Sequence, residues 1–136
     1  MFRLLIGGSL MQNMKRVLVV DDEAVVRESL EQYLEDCDFE VSTADNAISA
    51  LQYLRDGTSF DIAVVDIRMP EMNGEDFMLE ASRILPEMKF LIQTGTLDYH
   101  VSPGLQHLGI SAENVLKKPV FELQTYVDKI QDILEK

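Results

Sequence analysis

Five side chains that could take part in catalysis or metal binding stand directly after short apolar runs of the sequence. Asp66 comes first in importance, because it ends an Ile-Ala-Val-Val run and is followed by a loop rich in Pro and Gly. The others are Asp21, Asp22, Thr94 and Lys118. Carboxylates brought within a few ångströms repel one another, and burial raises the cost further. A cation removes this conflict, and a site built from oxygen ligands favours Mg²⁺.

Asp66 also has the chemistry of a nucleophile. An ionised aspartate can attack phosphorus and form an acyl phosphate. Lys118 offers a mobile positive charge and Thr94 a hydroxyl donor, while the small Gly95 would allow backbone N–H groups to approach phosphate oxygens. The set of residues therefore indicates phosphoryl transfer beside a divalent cation.

Each of these signals has an ordinary structural interpretation when taken alone. Asp22 before a helix is a good N-cap, and Asn73-Gly74 is a common turn or cap signal. A Thr-Gly or a Lys-Pro pair on its own does not indicate a functional site. Capping does not explain the further acids next to Asp22, and the order of acid pair, Asp, Thr and Lys, each after its own apolar run, favours a functional site.

The rest of the chain alternates between short apolar runs and segments with helical periodicity. Strands are predicted at 17–20, 39–44, 60–66, 89–94 and 115–116, and helices from 22, at 46–55, at 75–85, weakly within 98–110, and over 123–134. The apolar faces of the first two helices include Val25 and Ile48, and the third helix is predicted to bury Ile84 and Leu85. Such alternation predicts right-handed βαβ units and a parallel sheet between helices, with the functional groups gathered at the carboxyl ends of the strands.

Composition narrows the functional classes. A chain of 136 residues forms one domain, predicted over residues 15–136. Its formal charge of −12 argues against binding nucleic acid or an anionic membrane, and no apolar run is long enough to span a bilayer. The one cysteine, Cys37, allows no internal disulfide and suits the cytoplasm. Residues 1–14 are expected to be a disordered extension, since Gly7-Gly8 interrupts the apolar stretch that a signal peptide requires.

Over residues 15–136 the sequence resembles the receiver domains of two-component response regulators. The matching segments are 17–23, 64–74, Thr94-Gly95 and 116–119. The resemblance implies a flavodoxin-like, doubly wound (βα)5 fold with the strand order 2-1-3-4-5. It also implies Mg²⁺-dependent transfer of a phosphoryl group to Asp66 from a sensor histidine kinase or a histidine phosphotransfer protein.

The resemblance assigns further roles by position. Asp22 and Asp66 would bind the metal directly, Asp21 mainly through water, and Arg68 through its backbone carbonyl. The Arg68 side chain is either an ordinary surface arginine or a group that changes water access to the acyl phosphate.

Two other positions would contact the phosphoryl group itself. Thr94 would bind it and shift on activation, and Lys118 would pair with it, whereas Lys117 would not. The protein would then be a phosphoacceptor with self-catalysed transfer and autodephosphorylation rather than a conventional enzyme.

Some features depart from the family pattern. Val115 stands where receivers usually carry an aromatic switch residue, and Pro103 and Gly104 weaken the fourth helix. Because no output domain follows the last helix, a stand-alone receiver that acts on another protein or in a phosphorelay is expected. The alternative is an adaptor of the same fold that signals without phosphate. A flavin or nucleotide site is disfavoured, since Asp-Asp-Glu replaces a phosphate-binding loop, and a haloacid-type hydrolase lacks its Asp-x-Asp pair.

Overall fold

The computed structural model describes residues 14–136 and has a parallel five-stranded sheet at its centre. The strands are β1 Arg16–Val20, β2 Glu40–Ala44, β3 Ile62–Asp66, β4 Lys89–Thr94 and β5 Val115–Lys117, in the order β2-β1-β3-β4-β5. The helices are α1 Ala24–Asp36, α2 Ala47–Arg55, α3 Gly74–Ile84, α4 Pro103–His107 and α5 Gln124–Leu134, with a 3₁₀ turn at Ala112–Asn114. The predicted fold and strand order are confirmed. The expectation for residues 1–14 lies, apart from Met14, outside the described residues.

Helices cover both faces of the sheet. In β3, Ala63 and Val65 pack into a core with α2, α3 and α4, which we call the α2–α4 layer. Ile62 and Val64 point to the other face, into a core with α1 and α5, the α1–α5 layer. Both sets are fully buried. This two-sided burial explains why the central strands are continuous apolar runs rather than alternating ones.

Some predicted core positions are wrong. Val25 is 78% exposed and Ile48 is 48% exposed. In α1 the buried residues are Leu30 and Leu34, and Val25 lies about 140° around the helix from Leu30 at about 100° per residue. In α2 the buried residues are Ala47, Ala50, Leu51 and Leu54, and Ile48 lies about 100° around the helix from Ala47, to one side of this buried stripe.

Other helix predictions also need correction. Ile84 and Leu85 are only partly buried at the end of α3. Helix α1 begins at Ala24, and its N-cap is Glu23, whose side chain makes no capping bond. The capping interpretation of Asp22 is therefore not observed, which leaves this exposed carboxylate available at the edge of the sheet.

Helix α4 is short, as Pro103 and Gly104 predict. The Ser102 side chain accepts a hydrogen bond from the Leu105 N–H, and Pro103 occupies the first helical position. At the other end Gly109 adopts a φ of +87°. The N–H groups of Gly109 and Ile110 return to the carbonyls of Gln106 and Leu105, at 2.9 and 3.2 Å, which is a Schellman motif.

Candidate functional site

The strand order brings the predicted site residues to one edge of the sheet. Asp21 follows β1 and Asp66 ends the adjacent β3, while Thr94 ends β4 and Lys118 follows β5. Carboxylate oxygens of Asp21, Asp22 and Asp66 lie within 4.8 Å of one another. We call these three residues the acidic cluster. All-oxygen donors at this spacing fit a hard divalent cation such as Mg²⁺.

Lys118 lies between three carboxylates, two from the segment after β1 and one from the end of β3. Its Nζ donates to Asp66 Oδ2 at 3.2 Å, to Asp21 Oδ2 at 3.3 Å and to Glu23 Oε1 at 3.2 Å. Burial lowers the pKa of Lys118, but the charges of Asp21 and Asp66 outweigh this effect and hold the pKa above its ordinary value. Lys118 is therefore positively charged at neutral pH. The Glu23 contact with Lys118 was not expected from the sequence.

Lys117 makes different contacts from its neighbour. Its Nζ donates to the backbone carbonyls of Thr96 and Leu97, at 3.1 and 2.9 Å. It thus holds the segment after β4 rather than contacting the acidic cluster.

Asp21 is fully buried. Its Oδ1 accepts the Glu23 N–H at 2.8 Å, and its Oδ2 accepts a hydrogen bond from the Gln93 Nε2 at 2.6 Å. Burial raises the pKa of Asp21, as does the nearby charge of Asp66, while the Glu23 N–H and Lys118 lower it. The net shift is upward, so the ionised form of Asp21 carries a cost that a bound cation would reduce.

Asp66 is also nearly buried, at 6% exposed, and is held by the loop that follows it. Its Oδ1 accepts the Arg68 N–H at 3.2 Å, so the backbone of Arg68 adjoins the site. The first residue of α3 packs against the same segment, since the Gly74 N–H donates to the Ile67 carbonyl at 2.9 Å.

Gly74 allows this close approach. A Cβ at Gly74 would lie 2.4 Å from the Asp66 carbonyl oxygen and 2.9 Å from the Ile67 Cα, both backbone atoms. Asn73 caps the same helix by accepting the Asp76 N–H at 2.9 Å. The Asn-Gly pair is thus a cap, as its sequence indicates, but the steric reason for the glycine appears only in the structure.

Thr94 and Gly95 lie at the end of β4, at the same edge of the sheet as Asp66. Thr94 is 1% exposed, and its hydroxyl oxygen accepts the Thr96 N–H at 3.1 Å. A Cβ placed on Gly95 would meet nothing within 4 Å. There is consequently open space beside Gly95 where a phosphoryl group could lie.

Two buried polar residues beside the acidic cluster were not found by sequence analysis. Gln93 is fully buried and contacts Asp21, and the hydroxyl of Tyr126 donates to Gln93 Oε1 at 2.6 Å. One signal was available: Gln93 interrupts an otherwise apolar stretch of β4. Tyr126 lies in the apolar stripe of α5, where nothing in its spacing distinguishes it.

A sequence model of the response regulator receiver domain matches residues 17–131. The chain belongs to this family. The receiver is 32% identical over 121 residues to the response regulator receiver protein CpdR of Brucella abortus, an alignment that covers 89% of this chain and 98% of the relative. The match to the response regulator SaeR of Staphylococcus aureus is 31% identical and covers 51% of that longer protein.

Solved structures have the same fold. A CheY-like receiver domain from Methanospirillum hungatei superposes with a TM-score of 0.77 at 29% identity, covering 90% of this chain and 95% of the other. The response regulator TrrA of Thermotoga maritima, solved in complex with Mg²⁺ and BeF, has a TM-score of 0.74 at 27% identity, with coverage of 88% and 99%. Within residues 14–136 of the receiver, no helix has the length and apolar character needed to cross a membrane.

Proposed function

We propose that this receiver accepts a phosphoryl group on Asp66 from a sensor histidine kinase or a histidine phosphotransfer protein. One observation carries the proposal: the Asp66 carboxylate lies 3.2 Å from the Lys118 amine and within 4.8 Å of oxygens from two other acids. This arrangement supplies a nucleophile, a cationic partner and an all-oxygen cation site in one place. Family membership supports the same assignment.

The acidic cluster would hold Mg²⁺. Asp22 and Asp66 would bind it directly, Asp21 mainly through water, and Arg68 through its backbone carbonyl. The ion, when bound, would offset the negative charge of the incoming phosphoryl group. The raised pKa of Asp21 supports this role, because a buried carboxylate beside another carboxylate is stabilised by a cation.

The receiver's own side chains would carry out the transfer. An oxygen of ionised Asp66 forms a bond to phosphorus as the bond from phosphorus to the donor's imidazole nitrogen breaks, and the nitrogen keeps the electron pair. Lys118 pairs with the transferred oxygens, and its three present contacts show that the amine can reach this region. Thr94 donates its hydroxyl to the phosphoryl group. Transfer and later autodephosphorylation would be catalysed by the receiver itself.

The composition of the chain supports a protein target and a cytoplasmic location for the proposed phosphotransfer. A net charge of −12 disfavours nucleic acid as the direct target, so we propose that the phosphorylated receiver acts by contact with another protein. A single half-buried cysteine is compatible with the cytoplasm, where two-component phosphotransfer would take place.

A direct test is phosphorylation by a small donor. The parent protein, incubated with acetyl phosphate and MgCl₂, should gain the mass of one phosphoryl group, and Asp66→Asn should gain none. Asp132→Asn, which removes an exposed acid on α5, serves as the matched control and should react like the parent. If the parent stays unmodified with several donors, or if Asp66→Asn reacts equally, the proposal is wrong.

Two observations favour a second candidate, an adaptor that signals without phosphate. Val115 packs against the α2–α4 layer where receivers usually carry an aromatic switch residue, and α4 has only five residues. Such an adaptor would bind its partner equally well as the parent or as Asp66→Asn. A pull-down of each protein with and without beryllium fluoride separates the two functions, since only a phosphoryl-dependent receiver gains partner from the treatment.

A further inference from the structure

A buried chain of hydrogen bonds connects helix α5 with the acidic cluster. The Tyr126 hydroxyl donates to Gln93 Oε1 at 2.6 Å, and Gln93 Nε2 donates to Asp21 Oδ2 at 2.6 Å. Gln93 and Asp21 are fully buried, and Tyr126 is 3% exposed. Both bonds are short and shielded from water, so each is costly to break.

The donors and acceptors of this chain have one consistent direction. Asp21 also receives hydrogen bonds from the Glu23 N–H and from Lys118, so its carboxylate acts as an acceptor throughout. The Gln93 amide must therefore present its nitrogen to Asp21 and its oxygen to Tyr126. Burial raises the pKa of Tyr126 to about 12, and its hydroxyl accordingly keeps the proton that it donates.

The sheet places Gln93 beside Asp66. Gln93 pairs with Asp66 in the register of β3 and β4, and its carbonyl accepts the Ile67 N–H at 3.4 Å. Its side chain lies on the same side of β4 as Leu91, in the α1–α5 layer, where it meets Tyr126. Val115 packs in the opposite layer. The hydrogen-bond chain is thus separate from the position of the missing aromatic residue.

We propose that Gln93, held by Tyr126, is a positioning residue that orients the Asp21 carboxylate and so increases the affinity of the acidic cluster for Mg²⁺. The inference rests on the proposed function, since it takes the cluster to be a Mg²⁺ site. Thermodynamic linkage makes the effect reciprocal, and Mg²⁺ binding therefore changes the environment of Tyr126 on α5. In this way α5 senses whether the site is occupied.

The test is a Mg²⁺ titration of the parent, Tyr126→Phe and Gln93→Met, in which ¹H–¹⁵N NMR spectra monitor binding. Tyr126→Phe deletes one hydroxyl and keeps the ring. Tyr33→Phe is the matched control, because the Tyr33 hydroxyl also donates to a glutamine oxygen, that of Gln124, at 2.6 Å, but on the exposed surface of α5. We expect Tyr126→Phe and Gln93→Met to raise the Mg²⁺ dissociation constant about three- to tenfold, which corresponds to the free energy of one hydrogen bond. Tyr33→Phe should match the parent.

Two further measurements distinguish a loss of Asp21 positioning from a general loss of protein stability. In aromatic ¹H–¹³C spectra, the Tyr126 ring resonances should shift during the Mg²⁺ titration of the parent and stay unchanged in Gln93→Met. The double variant should bind Mg²⁺ no more weakly than Gln93→Met, because both changes break one chain. Melting temperatures in EDTA report separately any loss of stability, which does not by itself change the dissociation constant of the folded protein.

The outcomes are distinct. The proposal is overturned if the Mg²⁺ dissociation constant of Tyr126→Phe is unchanged or lower, or if Tyr33→Phe loses as much Mg²⁺ affinity as Tyr126→Phe. Tyr126→Phe decides between these results even if Gln93→Met does not fold. A parent that binds Mg²⁺ and is phosphorylated while the variants behave like it contradicts only this inference. A parent that binds no Mg²⁺ contradicts the proposed function as well.

Discussion

Lys118 and Gly74 show how single residues set the geometry around Asp66. Lys118 contacts three acids from two segments and partly neutralises them, which allows the buried carboxylates of Asp21 and Asp66 to lie close together. Gly74 acts by having no side chain, because α3 begins where a Cβ would overlap the Asp66 carbonyl. One residue works through charge and the other through volume. Both effects are local enough to be tested by point substitution.

A pair of glycine substitutions tests the steric argument. Gly74→Ala should lower the free energy of unfolding by about 1–3 kcal/mol, since backbone atoms must move to admit the methyl group. Gly95→Ala lies at the same site in open space and should change the stability by less than about 1 kcal/mol. Urea denaturation measures both. Equal losses in the two variants would show that the close approach of α3 is not what Gly74 provides.

At the scale of elements, the helices around the site differ greatly in how they are held. Helix α5 buries four side chains, whereas α4 buries only Leu105. Side-chain hydrogen bonds also hold the segment before α4. The Tyr99 hydroxyl donates to Glu75 Oε2 at 2.8 Å, and Lys117 holds the carbonyls of Thr96 and Leu97. Burial and the neighbouring Glu75 both raise the pKa of Tyr99, so this hydroxyl remains a donor.

Hydrogen exchange should reveal the weak attachment of α4. Local opening requires little loss of buried surface where few side chains are buried, so amides of α4 should exchange at least about tenfold faster than those in the middle of α5. Mass-spectrometric exchange of peptides from the two helices measures this difference. Helix α2, of nine residues with four buried, is the reference for a short but well-packed helix. Protection of α4 equal to that of α2 would contradict the expectation.

At the scale of the whole molecule, charge and topology act together. The chain carries a formal charge of −12, and the strand order places three of its acids at one edge of the sheet. General salt screens the dispersed charges, whereas the proposed Mg²⁺ would in addition bind at the acidic cluster. The two effects can be separated by comparing salts of equal ionic strength.

Mg²⁺ should stabilise the folded receiver beyond the effect of ionic strength. At a concentration ten times its dissociation constant, bound Mg²⁺ would add about 1.4 kcal/mol, or several degrees in melting temperature for a domain of this size. Asp22→Asn should lose most of this gain. Asp132→Asn, an equal change of charge at another exposed position, should keep it. Melting curves in MgCl₂ and in NaCl of matched ionic strength provide the measurement, and an identical shift in both salts would argue against a specific site.

Much of this protein follows from sequence alone, for a local physical reason. Apolar runs such as Val17–Val20 predict strands buried on both faces, helical periodicity predicts the elements between them, and parallel βαβ units gather the strand ends at one edge. The convergence of Asp66, Lys118, Asp21 and Asp22 at this edge could therefore be predicted in advance. The weak fourth helix was equally predictable from Pro103 and Gly104.

Other features required the tertiary structure, because they depend on contacts between distant segments. Gln93 and Asp21 are 72 positions apart, and Glu23 and Lys118 are 95 apart. Local patterns say that Val25 and Ile48 are apolar but not which side of each helix faces the sheet. The residue types determined the chemistry that the site can perform. Only the packing of strands and helices decided which buried groups hold Asp21 in place, since that depends on long-range pairing.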